Sequence, residues 1–219
     1  MHFLITAGPT REALDPVRYL SNRSSGRMGF ALAEAAREAG HGVTLIAGPV
    51  TLATPAGVER IDVVSAEEMY SAVRRHIGRA DAAVFSAAVA DYRPAAAAPQ
   101  KIKKDGETLT LVLERTPDIL GSVRREFGWR GHLTGFAAET ENLLAHAQGK
   151  LERKGCDLLV ANDVSRPDIG FDSPDNAVTL VFPDGRTEEL PKAGKEVLAR
   201  RIIETITQAV SANRPPAAP

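Results

Sequence analysis

The sequence predicts an α/β fold: a Rossmann-like, mainly parallel sheet with helices on both faces and a small β-rich appendage. Short apolar runs alternate with helix-patterned stretches through the first half of the chain, as in a sheet built from strand–helix–strand units. Polar loops follow the ends of these runs, where open α/β sheets carry their binding sites. The last third changes character, with two strand-like runs flanking the turn Pro183-Asp184-Gly185.

In chain order, residues 2–7 form the first strand, and an alanine-rich helix over 28–39 ends at Gly40. Strands follow over 43–47 and 60–64. Ser65 and Glu68 make a Ser-x-x-Glu capping box. The helix it opens repeats Met69, Val73 and Ile77 every four residues, the spacing of a face packed on a sheet. Residues 82–86 form the fourth strand. Between Tyr92 and Gly106 the pattern is lost, and Pro94, Pro99 and Lys101-Ile102-Lys103-Lys104 describe an exposed, mobile segment. Leu109, Leu111 and Leu113 alternate with more polar positions, as in a half-exposed strand. Pro117 opens a short helix, 133–137 is a buried strand, and Thr140 caps a helix running through Leu151. A strand over 157–161 precedes a hairpin of 177–182 with 186–190. Leu198, Ile202, Ile206 and Val210 mark the core stripe of the last helix. Residues 1–212 read as a single domain, and 213–219 as a Pro/Ala-rich, frayed tail.

Composition bounds the partners. The 219 residues carry 27 Lys and Arg against 28 Asp and Glu, so bulk charge does not bring the chain to nucleic acid. No signal peptide precedes the first strand and no apolar run reaches a membrane span, which points to a cytoplasmic protein with no membrane partner. The single cysteine, Cys156, has no internal disulfide partner and lies in an apolar-leaning stretch, as a buried thiol would.

The most informative stretch is 5–30. It leaves a buried strand at Gly8-Pro9, runs through a loop dense in Arg, Asn and Ser, and enters a helix at Ser24-Ser25-Gly26. Backbone N–H groups delivered at a helix N-terminus suit an anion, most often phosphate. Two widespread phosphate-binding loops are absent. No glycine lies between Gly8 and Gly26, so the dinucleotide Gly-x-Gly-x-x-Gly does not occur, and neither does a Gly-x-x-x-x-Gly-Lys-Ser/Thr loop. Tyr19, Tyr70 and Tyr92 are followed four residues later by Arg23, Arg74 and Ala96, not by the lysine of a short-chain reductase. A non-catalytic nucleotide- or NAD(P)-binding regulator remains as a rival reading.

The blocks Gly8-Pro9-Thr10-x-Glu12, Asp15-Pro16-Val17-Arg18, Ser21-Asn22-x-Ser24-Ser25-Gly26-x-Met28-Gly29, Ala87-Ala88-Val89-Ala90-Asp91-Tyr92, Lys101-Ile102-Lys103-Lys104, Pro117-Asp118-Ile119, Gly135-Phe136-Ala137-Ala138-Glu139-Thr140, Lys150-x-x-x-Lys154 and Ala161-Asn162-Asp163 resemble phosphopantothenoylcysteine synthetase of coenzyme A biosynthesis. They stand in the family's order and cover nearly the whole chain. The resemblance is to the bacterial form. It implies a ligase that joins 4′-phosphopantothenate to L-cysteine, with CTP as co-substrate and Mg²⁺ or another divalent cation, through an acyl-cytidylate. It also implies a homodimer, with Leu109–Leu113 a candidate for a strand shared between subunits. In many bacteria a flavin-dependent phosphopantothenoylcysteine decarboxylase is fused ahead of this half. No flavin is expected in this chain, and decarboxylation would belong to a separate polypeptide or to a portion of a longer protein.

The resemblance assigns Asn22, Arg18 and Lys101 to catalysis. It assigns Ser24, Ala87, Ala88, Asp91, Lys101, Pro117, Asp118, Ile119, Leu120, Phe136, Lys150 and Lys154 to the nucleotide, with Asp91 also on the metal. Chemically, an Asn22 amide could donate to an oxyanion without adding charge, and an arginine such as Arg18 can grip carboxylate or phosphate in two places. Lys150 and Lys154, four apart, share one helical face. Each residue also has an ordinary reading: an Asx-turn for Asn22, a cap for Ser24, a surface arginine for Arg18, a solvated loop for Lys101, core for Phe136, and helix-end lysines for Lys150 and Lys154.

Overall fold

The computed structural model describes residues 1–104, 106–139, 142–163, 173 and 175–212. In chain order these form β1 (His2–Ala7), β2 (Arg11–Ala13), β3 (Tyr19–Ser21), α1 (Arg27–Glu38), β4 (Gly42–Ala47), β5 (Glu59–Asp62), α2 (Ala66–His76) and β6 (Ala82–Phe85). There follow β7 (Tyr92–Pro94), β8 (Leu113–Arg115), α3 (Ile119–Arg125), β9 (His132–Glu139), α4 (Leu143–Lys154), β10 (Leu158–Asp163), β11 (Asp175–Val181), β12 (Thr187–Gly194) and α5 (Lys195–Ala212).

Eight strands make one sheet in the order β12-β11-β10-β9-β6-β1-β4-β5. The run from β5 to β10 is parallel, while β11 lies antiparallel to both β10 and β12. The expected α/β sheet is therefore present, and the hairpin extends its edge. From β1 the chain builds toward β4 and β5; from β6 it builds the other way. The loops after β1 and β6 consequently diverge, leaving a crevice at the switch point.

Helices cover both faces. Phe3, Ile5 and Ala7 of β1 point into one core with α1 and α5, whereas Leu4 joins Ile46, Leu133 and the apolar sides of α2, α3 and α4 on the other. This explains why β1 reads as a continuous apolar run although its side chains alternate. Gly29 brings α1 onto β1: a Cβ there would overlap the Ala7 methyl and stand 2.7 Å from Ser86 Oγ. Cys156 is buried, and burial pushes its thiol up to about 12.

Several local expectations need correction. Residues 92–106 are not wholly patternless, because β7 pairs antiparallel with β8. The expected strand over 109–113 contributes only Leu113 to β8. Leu109, Leu111, Val112 and Leu113 are all exposed, so the alternation does not pack on the chain's own core. The loop after β1 folds back as the β2–β3 hairpin, whose three-residue strands are too short to register as periodicity. Helix α4 extends to Lys154 rather than ending at Leu151. Thr140, expected as its cap, and the tail 213–219 lie outside the described residues.

Candidate active site

The loop after β1 is organised by buried polar side chains. Thr10 Oγ1 accepts from Ala90 N at 3.0 Å, tying this loop to the one after β6. Glu12 is buried and accepts from Ala66 N at 2.9 Å, at the start of α2. Asp15, also buried, is the hub. It accepts from the amides of Val17 and Arg18, from Arg18 Nε at 3.0 Å and Nη2 at 2.6 Å, and from Ile102 N at 3.0 Å. The Arg18 guanidinium, aided by these amides against burial, holds the Asp15 carboxyl well below the usual carboxylate range. Arg18 Nη2 also donates to Ile102 O at 2.9 Å. The segment carrying Lys101 is thus anchored to the opening loop by both polar groups of the next residue.

At the switch point lies a cavity of about 1000 Å³. The structure brings Asn22, Ser24, Ala87, Ala88, Asp91, Pro117, Asp118, Ile119, Leu120, Phe136, Lys150 and Lys154 to its lining. Arg18 and Lys101 are not part of that lining: Arg18 faces Asp15, and Lys101 is exposed on the anchored segment.

Within the cavity the side chains already have work. Asn22 Nδ2 donates at 3.0 Å to both Ala88 O and Val89 O, strapping the opening loop to the one after β6. Both of its amide hydrogens are engaged, so an oxyanion would have to displace a carbonyl to receive one. Ser24 does not cap α1 in the usual sense. Its hydroxyl accepts from Gly26 N at 3.3 Å, and Gly26 itself caps the helix with φ 78°. A glycine is needed there because a Cβ would stand 3.0 Å from Val50 Cγ1 and 3.3 Å from Gly8 Cα, and the first turn of α1 that it starts lines the cavity. Lys150 Nζ donates to Phe136 O at 2.7 Å, and Lys154 Nζ to Asp118 Oδ2 at 2.6 Å. Asp118 also caps α3 through Gly121 N and pairs with Arg125. Burial alone would raise the Asp118 carboxyl, but Lys154, that amide and Arg125 hold it below its ordinary value.

Arg23, Arg27, Arg115, Asn162, Asn176 and Lys195 also line the cavity without having been assigned a role from sequence. Arg23 and Arg27 lay inside the informative stretch, and Asn162 followed a predicted strand. Asn176 and Lys195 gave no signal, because only the pairing of β11 and β12 onto the sheet brings them here. The lining holds six cations against two carboxylates on a chain that is nearly neutral overall. Such a local excess suits a polyanion.

A divalent cation is compatible with this donor set. Among the described residues no group of three or more His, Cys, Asp or Glu could hold a metal alone. Mg²⁺ commonly takes one or two carboxylates together with substrate phosphates. Asp118 is occupied by Lys154 and Arg125, whereas Asp91 lines the cavity and its carboxylate accepts no bond from the described residues.

The chain resembles known proteins in sequence and in fold. The profile of the DNA/pantothenate metabolism flavoprotein C-terminal domain matches residues 1–210. The chain is 51% identical over 207 residues to the coenzyme A biosynthesis bifunctional protein CoaBC of Vibrio parahaemolyticus, covering 94% of this chain and 52% of that protein. It is 48% identical over 209 residues to CoaBC of Escherichia coli K12, covering 94% and 51%. The chain thus spans about half the length of these curated relatives. Its fold is similar to the crystal structure of the C-terminal domain of a CoaBC protein, with TM-score 0.82 and 39% identity over 97% of this chain and 96% of that one.

Proposed function

The chain belongs to the DNA/pantothenate metabolism flavoprotein C-terminal domain family, and from that premise we propose that it is a phosphopantothenate–cysteine ligase. In this reading it joins 4′-phosphopantothenate to L-cysteine with CTP, giving 4′-phosphopantothenoylcysteine, CMP and pyrophosphate. The observation that carries it is the cationic cavity at the switch point, bounded by the first turn of α1.

The first step joins two anions. An oxygen of the pantothenate carboxylate forms a bond to the α-phosphorus of CTP, and the bond to the bridging oxygen breaks with its electron pair, releasing pyrophosphate. Cations around the phosphates offset the repulsion. In the second step the cysteine amine attacks the acyl carbon, loses a proton, and expels CMP. Backbone at Ala87-Ala88 and Pro117–Leu120, with Phe136, would hold the nucleoside. Lys150 and Lys154 would turn from Phe136 O and Asp118 to phosphate oxygens. Asp91 would hold Mg²⁺, which supplies Lewis-acid stabilisation of charge on phosphorus. Asn22 sits where the two loops meet, and exchanging one carbonyl for the oxyanion of the second step would give it a direct role. Lys101, anchored through Ile102, would enter by movement of its segment over bound triphosphate.

A homodimer belongs to the same reading. What supports it is the exposed apolar run Leu109, Leu111, Val112 and Leu113 beside the short strand β8. The test of function is incubation with phosphopantothenate, cysteine, Mg²⁺ and either CTP or ATP. Pyrophosphate and a ligated product with CTP are expected; a folded protein that forms neither product with either nucleotide overturns the assignment.

A further inference from the structure

Lysine side chains are seldom fully buried, and a cation at the start of a helix opposes the helix dipole. Lys195 meets both conditions. It is the first residue of α5, is 4% exposed, and lines the cavity. Asn176, also 4% exposed, and Asn162 line the same cavity; Asn176 pairs in register with Ala193, two residues before Lys195, and Asn162 lies on the neighbouring strand β10. Asn176 Oδ1 accepts from Ala177 N at 2.9 Å, which leaves its amide hydrogens for another acceptor. An ammonium and amide N–H donors lining one cavity suit an anion.

Topology indicates which anion. β12 runs parallel to β10, so α5 starts at the carboxyl edge of the sheet, as α1 does, and the two helices share one face. The segment Pro117–Leu120 and the helix bearing Lys150 and Lys154 belong to the opposite face. The cavity therefore crosses the sheet edge. A nucleoside held by Ala87-Ala88 and Pro117–Leu120 would send its phosphates across Phe136 toward the first turns of α1 and α5.

Resting on the CTP-dependent reading above, we infer that Lys195, with Asn176 and Asn162, binds the terminal phosphates of the nucleotide and takes up the charge of departing pyrophosphate. As the carboxylate forms its bond to the α-phosphorus, the electron pair of the broken bond moves onto the bridging oxygen of pyrophosphate. Lys195 donates hydrogen bonds to that product and keeps its own proton.

The test compares wild type, Lys195→Met and Lys195→Arg for binding of CTP, CMP, inorganic pyrophosphate and phosphopantothenate, with pyrophosphate release as the kinetic readout. Lys195→Met should weaken CTP and pyrophosphate binding about tenfold or more, leave CMP and phosphopantothenate binding unchanged, and slow pyrophosphate release. Lys195→Arg should recover part of the CTP affinity. Equal losses for CTP and CMP would mean a structural role, and a loss confined to phosphopantothenate would assign the corner to the acid substrate; unchanged CTP binding would also overturn the inference. If Lys195→Met does not fold, Asn176→Ala should give the same selective loss of CTP and pyrophosphate. Wild type failing to release pyrophosphate from CTP would instead refute the ligase reading.

Discussion

Lys154 Nζ lies 2.6 Å from Asp118 Oδ2, so a lysine facing the cavity is held by the carboxylate that caps α3. Incoming phosphate would compete with Asp118 for this ammonium. Lys154→Gln is expected to weaken CTP binding about tenfold, the scale of one charged hydrogen bond, with little change in thermal stability. Asp118→Ala should lower stability by about 1 kcal/mol through loss of the cap. Calorimetric titration and thermal unfolding check the pair. Undiminished CTP affinity in Lys154→Gln would confine that lysine to holding the helix.

Asp15 connects the opening loop to the segment bearing Lys101 through Ile102 N. Asp15→Asn removes the charge that Arg18 pairs with, and the segment should become more sensitive to proteolysis around residues 101–104. Turnover should fall on the order of 100-fold if placement of Lys101 matters to chemistry. Lys101→Gln should slow pyrophosphate formation without changing that proteolytic pattern. An unchanged rate would leave Lys101 as a solvated lysine.

Asn22→Asp places a carboxylate against the carbonyls of Ala88 and Val89. The strap should loosen, and the negative charge would repel the oxyanion of amide formation. CTP should still bind while acyl-cytidylate accumulates, detectable by rapid quench and mass spectrometry. Ligated product released at the wild-type rate would remove Asn22 from the second step.

Stability should fall in two stages with acidification. Burial, the largest influence in each case, lowers the pKa of His2, His41 and His132 from 6.5, so they resist protons that the unfolded chain accepts. Their contribution is full above about pH 6.5 and is lost as pH falls through the lower folded values. Asp15 and Asp118 are held below 3.8, so their contribution is present above that value and is lost below it. Thermal unfolding from pH 8 to 3 should reveal both declines. A flat midpoint between pH 7.5 and 5 would contradict the histidine stage.

Much of the fold was legible because buried parallel strands are compact apolar runs and the helices carry clear stripes. Residues such as Ala87, Asp91 and Lys150 were legible only as parts of blocks. Lys195 and Asn176 were not, because their place depends on long-range pairing of β11 and β12 rather than on local pattern. The role of Asp15 was equally hidden. Its partners Arg18 and Ile102 stand 3 and 87 residues away, and no local spacing joins all three. The alternation around Leu109 is real but does not say what the run packs against, and Leu109, Leu111 and Leu113 are all exposed in the described chain.

The central claim is that a carboxylate is activated on the α-phosphorus of CTP. Phosphopantothenate carrying ¹⁸O in its carboxylate tests this most directly, with CMP and pyrophosphate analysed by mass spectrometry after one turnover. The account predicts one ¹⁸O in the phosphate of CMP and none in pyrophosphate; label in pyrophosphate or orthophosphate, or unlabelled CMP beside ligated product, would contradict it.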